Sequence, residues 1–203
     1  EKEPVRSLLM ENETWQQIRA SLLKTLSDFH AANPLKPGMS RESLRAALKL
    51  PPQLFEAVLE KLSAVREVSV RGALISLASH EIRFTADQRA QISSLLQRFA
   101  ESPYSPPDAS EVSALLGPEL MEALIAAGDL VQASGLVLFT PSAVQEMTAW
   151  VKAHIQARGS LTLAEFRDHF GTSRKYAAAL LEFLDEMGVT LRKGDIRVLK
   201  QVK

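Results

Sequence analysis

One order of segments occurs three times along this chain, and it limits the fold more than any single residue does: long helix, short helix, second short helix, β-hairpin. In the first copy, Glu13 to Ala32 places Trp15, Ile18, Leu22, Leu26 and Phe29 on one side at helical spacing. Asn33-Pro34-Leu35-Lys36-Pro37-Gly38 ends that helix by proline and glycine punctuation. Ser40 is predicted to cap a short helix to Leu48, with Glu42 in its first turn, where the helix dipole favours an acid. Pro51-Pro52 opens the next helix, to about Ala64. Val68 to Val70 and Leu74 to Leu77, around Arg71-Gly72, read as the hairpin.

The second copy runs from a long helix at Thr85–Ala100, past the Ser102–Pro107 loop, to short helices near Ala109–Leu115 and Pro118–Ala127. Its hairpin is predicted at Leu130–Gln132 and Leu136–Leu138, around Ser134-Gly135. In the third copy the long helix spans Ser142 to Ala157, Thr162 opens a short helix to Phe170, and Ser173 opens the next. Its hairpin is Val189–Arg192 and Ile196–Leu199. Three helices followed by a hairpin is the winged-helix variant of helix-turn-helix. The expected architecture is therefore mainly α with small β-hairpins: three tandem winged-helix modules, 1–80, 81–140 and 141–203, in an elongated array. Copies of about 60–75 residues are small for independent cores, so neighbours are expected to pack on each other.

The copies serve as controls for one another. The third helix of the first copy begins Pro51-Pro52-Gln53-Leu54-Phe55-Glu56, and that of the second Pro118-Glu119-Leu120-Met121-Glu122. The third copy starts Ser173-Arg174-Lys175, with Glu182, Asp185 and Glu186 toward the other end, so its polarity is reversed. Each misplaced charge costs on the order of 0.3–1 kcal/mol at low salt. A cost without structural return points to function, and cations beside free helix N–H groups suit a phosphate. The hairpin turns show the same contrast. Gln132-Ala133-Ser134-Gly135 is uncharged and the first turn has only Arg71, whereas the third carries Arg192, Lys193 and Arg197 around Gly194.

The formal net charge is zero, which argues against a generic nucleic-acid binder, but it is unevenly spread. Residues 1–80 carry 11 basic and 9 acidic side chains, residues 81–140 carry 3 and 8, and residues 141–203 carry 10 and 7. The absence of cysteine excludes disulfides, thiolate metal sites and cysteine nucleophiles. His30, His80, His154 and His169 lie too far apart for ligand spacing, so no metal site is expected. No nucleophile is spaced with a base, and Glu165 and Asp168 flanking His169 read as the surface of a short helix, so no catalytic residues are expected. No apolar run approaches a membrane span and no signal-peptide pattern opens the chain, so a cytoplasmic setting is expected. The start at Glu1, without methionine, suggests a piece of something longer.

Particular residues carry a family likeness. Gly171-Thr172-Ser173-Arg174-Lys175-Tyr176, Leu180-Leu181-Glu182-Phe183-Leu184-Asp185, Gly188-Val189-Thr190 and the run Arg192 to Leu199 resemble the end of the bacterial selenocysteine-specific translation elongation factors. Phe29-His30, Pro34 to Gly38 and Arg41 to Arg45 resemble that family's second winged-helix module, while residues 81–140 match mainly by layout. The resemblance implies modules two to four of four, following a GTPase and translation-factor domains. The chain has no Gly-x-x-x-x-Gly-Lys-Ser/Thr loop, so this fragment is expected to be no enzyme and to hold no cofactor, GTP and Mg belonging to the missing domains. It further implies a monomer whose last module binds the messenger-RNA hairpin that recodes UGA, tethering the factor and selenocysteinyl-tRNA to the ribosome.

On that reading Arg174 and Lys175 meet backbone phosphates and Ser173 adds a hydroxyl. Arg192, Lys193 and Arg197 bind the other side, and Gly194 lets the backbone approach. Asp195 either accepts from a guanine edge or closes the turn. Tyr176 either stacks on a base or, sharing a stripe with Leu180 and Leu184, packs in the core. Leu191 stands where the family often has a basic residue, and its alternation with Val189 predicts burial. Trp15 and Trp150 are read as core or inter-module anchors, and the acidic middle module as a spacer that repels RNA. The rival readings are a DNA-binding transcriptional regulator, which would need dimerisation, and a tandem winged-helix scaffold for protein partners.

Overall fold

The computed structural model describes residues 12–200; the first eleven residues of the opening module and the last three of the closing one lie outside the described residues. The first module comprises α1 (Asn12–Ala32), β1 (Met39–Ser40), α2 (Arg41–Leu48), α3 (Pro52–Ala64), β2 (Val68–Arg71) and β3 (Leu74–Leu77). Ser40 is extended and its side chain accepts from the Ser43 N–H, which starts α2. Lys49, left-handed at φ 52°, ends it. Pro52 opens α3 at a position where a missing N–H costs nothing. Leu22, Leu26, Leu44, Phe55, Val58, Leu59 and Leu62 close over Val68 and Ile75 as one apolar core. Trp15 packs at its edge, with the Lys61 ammonium 4.2 Å from its ring centre.

The same plan recurs as α4 (Ala86–Glu101), α5 (Ala109–Leu116), α6 (Pro118–Ala127), β4 (Val131–Ser134) and β5 (Val137–Phe139). It recurs again as α7 (Pro141–Arg158), β6 (Leu161–Thr162), α8 (Leu163–Phe170), α9 (Arg174–Glu186), β7 (Thr190–Lys193) and β8 (Ile196–Leu199). The outer modules add a two-residue third strand that helical periodicity does not reveal, giving sheet orders β1-β3-β2 and β6-β8-β7. In the middle module the hairpin stands as two strands. There Pro106-Pro107 occupies the stretch before the α5 cap, and proline has no N–H to lend a ladder. A single bond survives, from the Ala109 N–H to the Leu136 carbonyl at 2.8 Å, matching Arg41 to Ala73 in the first module.

Three copies of the plan make two compact units, one up to Arg83 and one from Phe84 onward. The second unit shows why. Phe139 is followed at once by Thr140, whose side chain caps α7, so nothing separates the middle hairpin from the last long helix. Ala133, Val137 and Phe139 from the middle hairpin share one buried cluster with Met147, Val151, Ile155, Phe166 and Leu180 of the last module. Each buried side chain of this size contributes about 1.5–3 kcal/mol of transfer free energy.

Candidate nucleic-acid interface

α9 begins without the caps that start its neighbours. Thr85, Asp108, Thr140 and Thr162 each accept a backbone N–H at a helix start. Ser173 is extended, at φ −86° and ψ 163°, yet its hydroxyl makes no capping bond. Pro51 and Gly117, at the corresponding positions of α3 and α6, also leave the first turn uncapped, but neither has a side chain that could cap. The first turn of α9 has no acid and its last turn no base, while the first turn of α6 carries Glu119. In α3 the acid is Glu56, one turn in and paired with Arg41. The macrodipole of α9 is therefore opposed by its own side chains, and its leading N–H groups stay available to an anion.

The four positions that open α9 have separate roles. Ser173 and Arg174 are exposed, and Arg174 makes no ion pair among the described residues. Lys175 is committed elsewhere: its Nζ lies 2.8 Å from Asp108 Oδ2 in the middle module. Asp108 also accepts the N–H groups of Ser110 and Glu111 as the cap of α5. The Lys175 hydrogen bond, then the helix-start N–H groups, hold the Asp108 carboxyl below the usual carboxylate range, and Asp108 raises the Lys175 ammonium in turn. Tyr176 packs against the shared core, edge-on to Phe139, and its hydroxyl donates to the Pro106 carbonyl at 2.7 Å. Just upstream, the Thr172 hydroxyl bonds the Tyr104 carbonyl. Thr172, Lys175 and Tyr176 thus fix the start of α9 to the middle module, which leaves Arg174 as its outward cation.

The wing turns through two residues, Gly194 and Asp195, between the closing pair Lys193 and Ile196. Gly194 sits at φ +63°, the left-handed first position that such a turn asks of glycine. Asp195 is exposed in that turn, and Lys193 is exposed with no ion pair among the described residues. Arg192 is exposed and folds back, its Nε donating to the Gly194 carbonyl at 3.0 Å. Arg197 is only 4% exposed, and its Nε donates to Asp185 Oδ2 at 2.9 Å. Leu191 contradicts its expected burial, being 48% exposed. It pairs with Val198 on the outward face of the hairpin, while Thr190, paired with Leu199, takes the inward face and is 1% exposed. Register, set by where the turn falls, decides which of two alternating residues goes inside.

Glu165, Asp168 and His169, on α8, serve structure. Glu165 forms a capping box with Thr162, whose N–H and hydroxyl hold its carboxyl below the usual range. Asp168 pairs with the adjacent Arg167. His169 stacks on Trp150 at 4.1 Å between ring centres, within a cluster that includes Phe166 and Phe170. No group of three or more metal-ligating side chains occurs among the described residues, and no described helix is long and apolar enough to cross a membrane.

Two stretches, residues 23–77 and 153–199, match the family described as "Elongation factor SelB, winged helix", together half of the chain. The chain is 22% identical over 192 residues to a selenocysteine-specific elongation factor of Desulfomicrobium baculatum and 25% identical over 192 residues to that of Escherichia coli. These alignments take in 91% and 92% of this chain but 30% and 31% of the relatives, so the chain spans about a third of their length. Among solved structures, a bacterial selenocysteine-specific elongation factor superposes over 98% of this chain and 32% of its own, at 16% identity and TM-score 0.54. The mRNA-binding domain of E. coli elongation factor SelB, solved with SECIS RNA, aligns with 58% of this chain and all of its own at 22% identity and TM-score 0.47.

Proposed function

The chain belongs to the elongation factor SelB family, whose winged-helix modules it carries, and from that premise we propose that its last module binds a selenocysteine-insertion hairpin in messenger RNA. The observation that carries this reading is the exposed cations Arg174 and Lys193, unpaired among the described residues, one at the start of α9 and one at its wing. Neither of the sister modules has a cation at both places: the first offers Pro52 and Arg71, the middle Pro118 and Ser134. A-form major grooves are too narrow for side chains, so such cations meet phosphates around a loop or bulge. The uncapped N–H groups of α9 and the Ser173 hydroxyl add donors beside Arg174. Lys175 enters indirectly, by locking the helix start to the middle module.

We place the GTPase, with its GTP and Mg, in domains outside this chain, which spans about a third of the length of its relatives. The proposed division of labour is then simple. This fragment anchors on the message as a monomer in the cytoplasm, and the tethered GTPase brings selenocysteinyl-tRNA to the ribosome. The test is retention of the full chain on immobilised SECIS hairpin RNA and on duplex DNA of equal charge. Binding to the hairpin that survives moderate salt, with none to the DNA, is expected; equal retention on both favours a DNA-binding regulator and overturns the reading.

A further inference from the structure

The inward positions that lock wing to helix are apolar in the first module: Val68 is 3% exposed and Ile75 is fully buried. Leu138 fills the second of these positions in the middle module and is also fully buried. In the last module the registers put Thr190 where Val68 stands, opposite Leu199 as Val68 is opposite Leu77. They put Arg197 where Ile75 stands, one residue beyond the pair that closes the turn. A hydroxyl and a guanidinium have replaced two core hydrocarbons. Asp185 serves both, and it is the twelfth residue of α9 where α3 has the exposed Ser63. Its Oδ1 accepts the Thr190 hydroxyl at 2.6 Å and its Oδ2 the Arg197 Nε–H at 2.9 Å.

A buried ion pair seldom stabilises a fold more than the hydrocarbon it replaces, so folding alone does not account for the exchange. The bonding of Arg197 does suggest a use. A guanidinium has five N–H donors, and Asp185 takes the one on Nε. The terminal nitrogens have no protein partner among the described residues, and they are absent from the fully enclosed, unpartnered polar atoms, which belong to His30 and His154. Those nitrogens are therefore the donors that a ligand can use, on a side chain that is 4% exposed. Held at Nε, the fork has lost its rotamer freedom before any ligand arrives, which lowers the entropy that binding must overcome. Arg192 is directly opposite Arg197 in the ladder, so the carboxylate also offsets the repulsion between two neighbouring cations.

We propose that Asp185 and Thr190 are positioning residues that preset the Arg197 guanidinium to bind one backbone phosphate of the RNA. This rests on the hairpin-binding reading above and adds to it the residues that aim the arginine. The test uses the full chain and a SECIS hairpin RNA, with affinity measured across a salt series. Asp185→Asn keeps the side-chain size and leaves Arg197 charged. It should weaken binding about tenfold, within the range for a charged hydrogen bond, with the salt slope unchanged. The Arg197 Nε–H should exchange slowly in the wild type and freely in that variant, a readout that a general packing role would not single out. The triple variant D185S/T190V/R197I rebuilds the first module's Ser63, Val68 and Ile75 and covers the case in which Asp185→Asn folds poorly. Its melting temperature should hold or rise, its affinity should fall roughly 10- to 100-fold, and its salt slope should shrink by about 0.7–0.9. Wild-type affinity in either variant, while Arg174→Ala weakens binding, overturns this inference alone. Wild-type affinity in Arg174→Ala and Lys193→Ala as well overturns the hairpin-binding reading on which it rests.

Discussion

Replacing Phe139 by alanine should destabilise the last module from a position outside it. Phe139 ends the middle module's hairpin, is fully buried, and packs among side chains of α7 and α9. Truncating a buried phenylalanine costs roughly 3–5 kcal/mol, the sum of lost transfer energy and a cavity that closes only in part. In a cooperative unit of about 120 residues, each kcal/mol lowers the melting temperature by roughly 3–5 °C, so a fall of about 10–25 °C is expected. The chain offers a local probe, because Trp150 lies on α7 and the other tryptophan, Trp15, on α1. In a Trp15→Phe background, Trp150 fluorescence alone follows the last module during thermal unfolding. A Trp150 transition that stays put while far-ultraviolet ellipticity reports loss of the middle helices would refute a shared core.

Arg174→Ala and Lys193→Ala should each flatten the dependence of log affinity on log salt by about 0.7–0.9, and the effects should add because the two side chains have no shared partner; titration of hairpin RNA at several salt concentrations checks this. The first unit should lose stability in acid through His30. Burial, and then the neighbouring His80, push its imidazole down to about 4, and the rings stack at 3.6 Å between centres. With the folded value below the unfolded one, stability is fully present above about pH 6.5 and falls toward pH 4. Urea midpoints followed at Trp15 should drop between pH 7.5 and 5 in the wild type, and the drop should vanish in His30→Gln.

What could be read from the residues alone follows from how local each signal is. Capping serines and threonines, helix-opening prolines and the Gly72, Gly135 and Gly194 turns act over a few residues, and the helices and hairpins stand within a few residues of where those signals put them. The two-residue strands β1 and β6 escaped, because they exist only through pairing with a hairpin more than thirty residues downstream. Partners were hidden for the same reason. Nothing near Lys175 announces Asp108, which is 67 positions away, and a cation beside a helix start reads as free until the neighbouring module is placed. Arg197 carried a usable clue: it alternates with Leu199, and the first module's matching position is Ile75, which marks an inward site. Leu191 shows the limit of alternation, which defines two faces but not which one is buried.

Photo-crosslinking of SECIS hairpin RNA to the full chain, with the attached peptides mapped by mass spectrometry, tests the central claim most directly. Cross-links should gather at the start of α9 around Arg174 and on the wing from Arg192 to Ile196. Cross-links gathered instead at the start of α3 and the Arg71 turn, or spread evenly over the three modules, would contradict an RNA interface built on the last module.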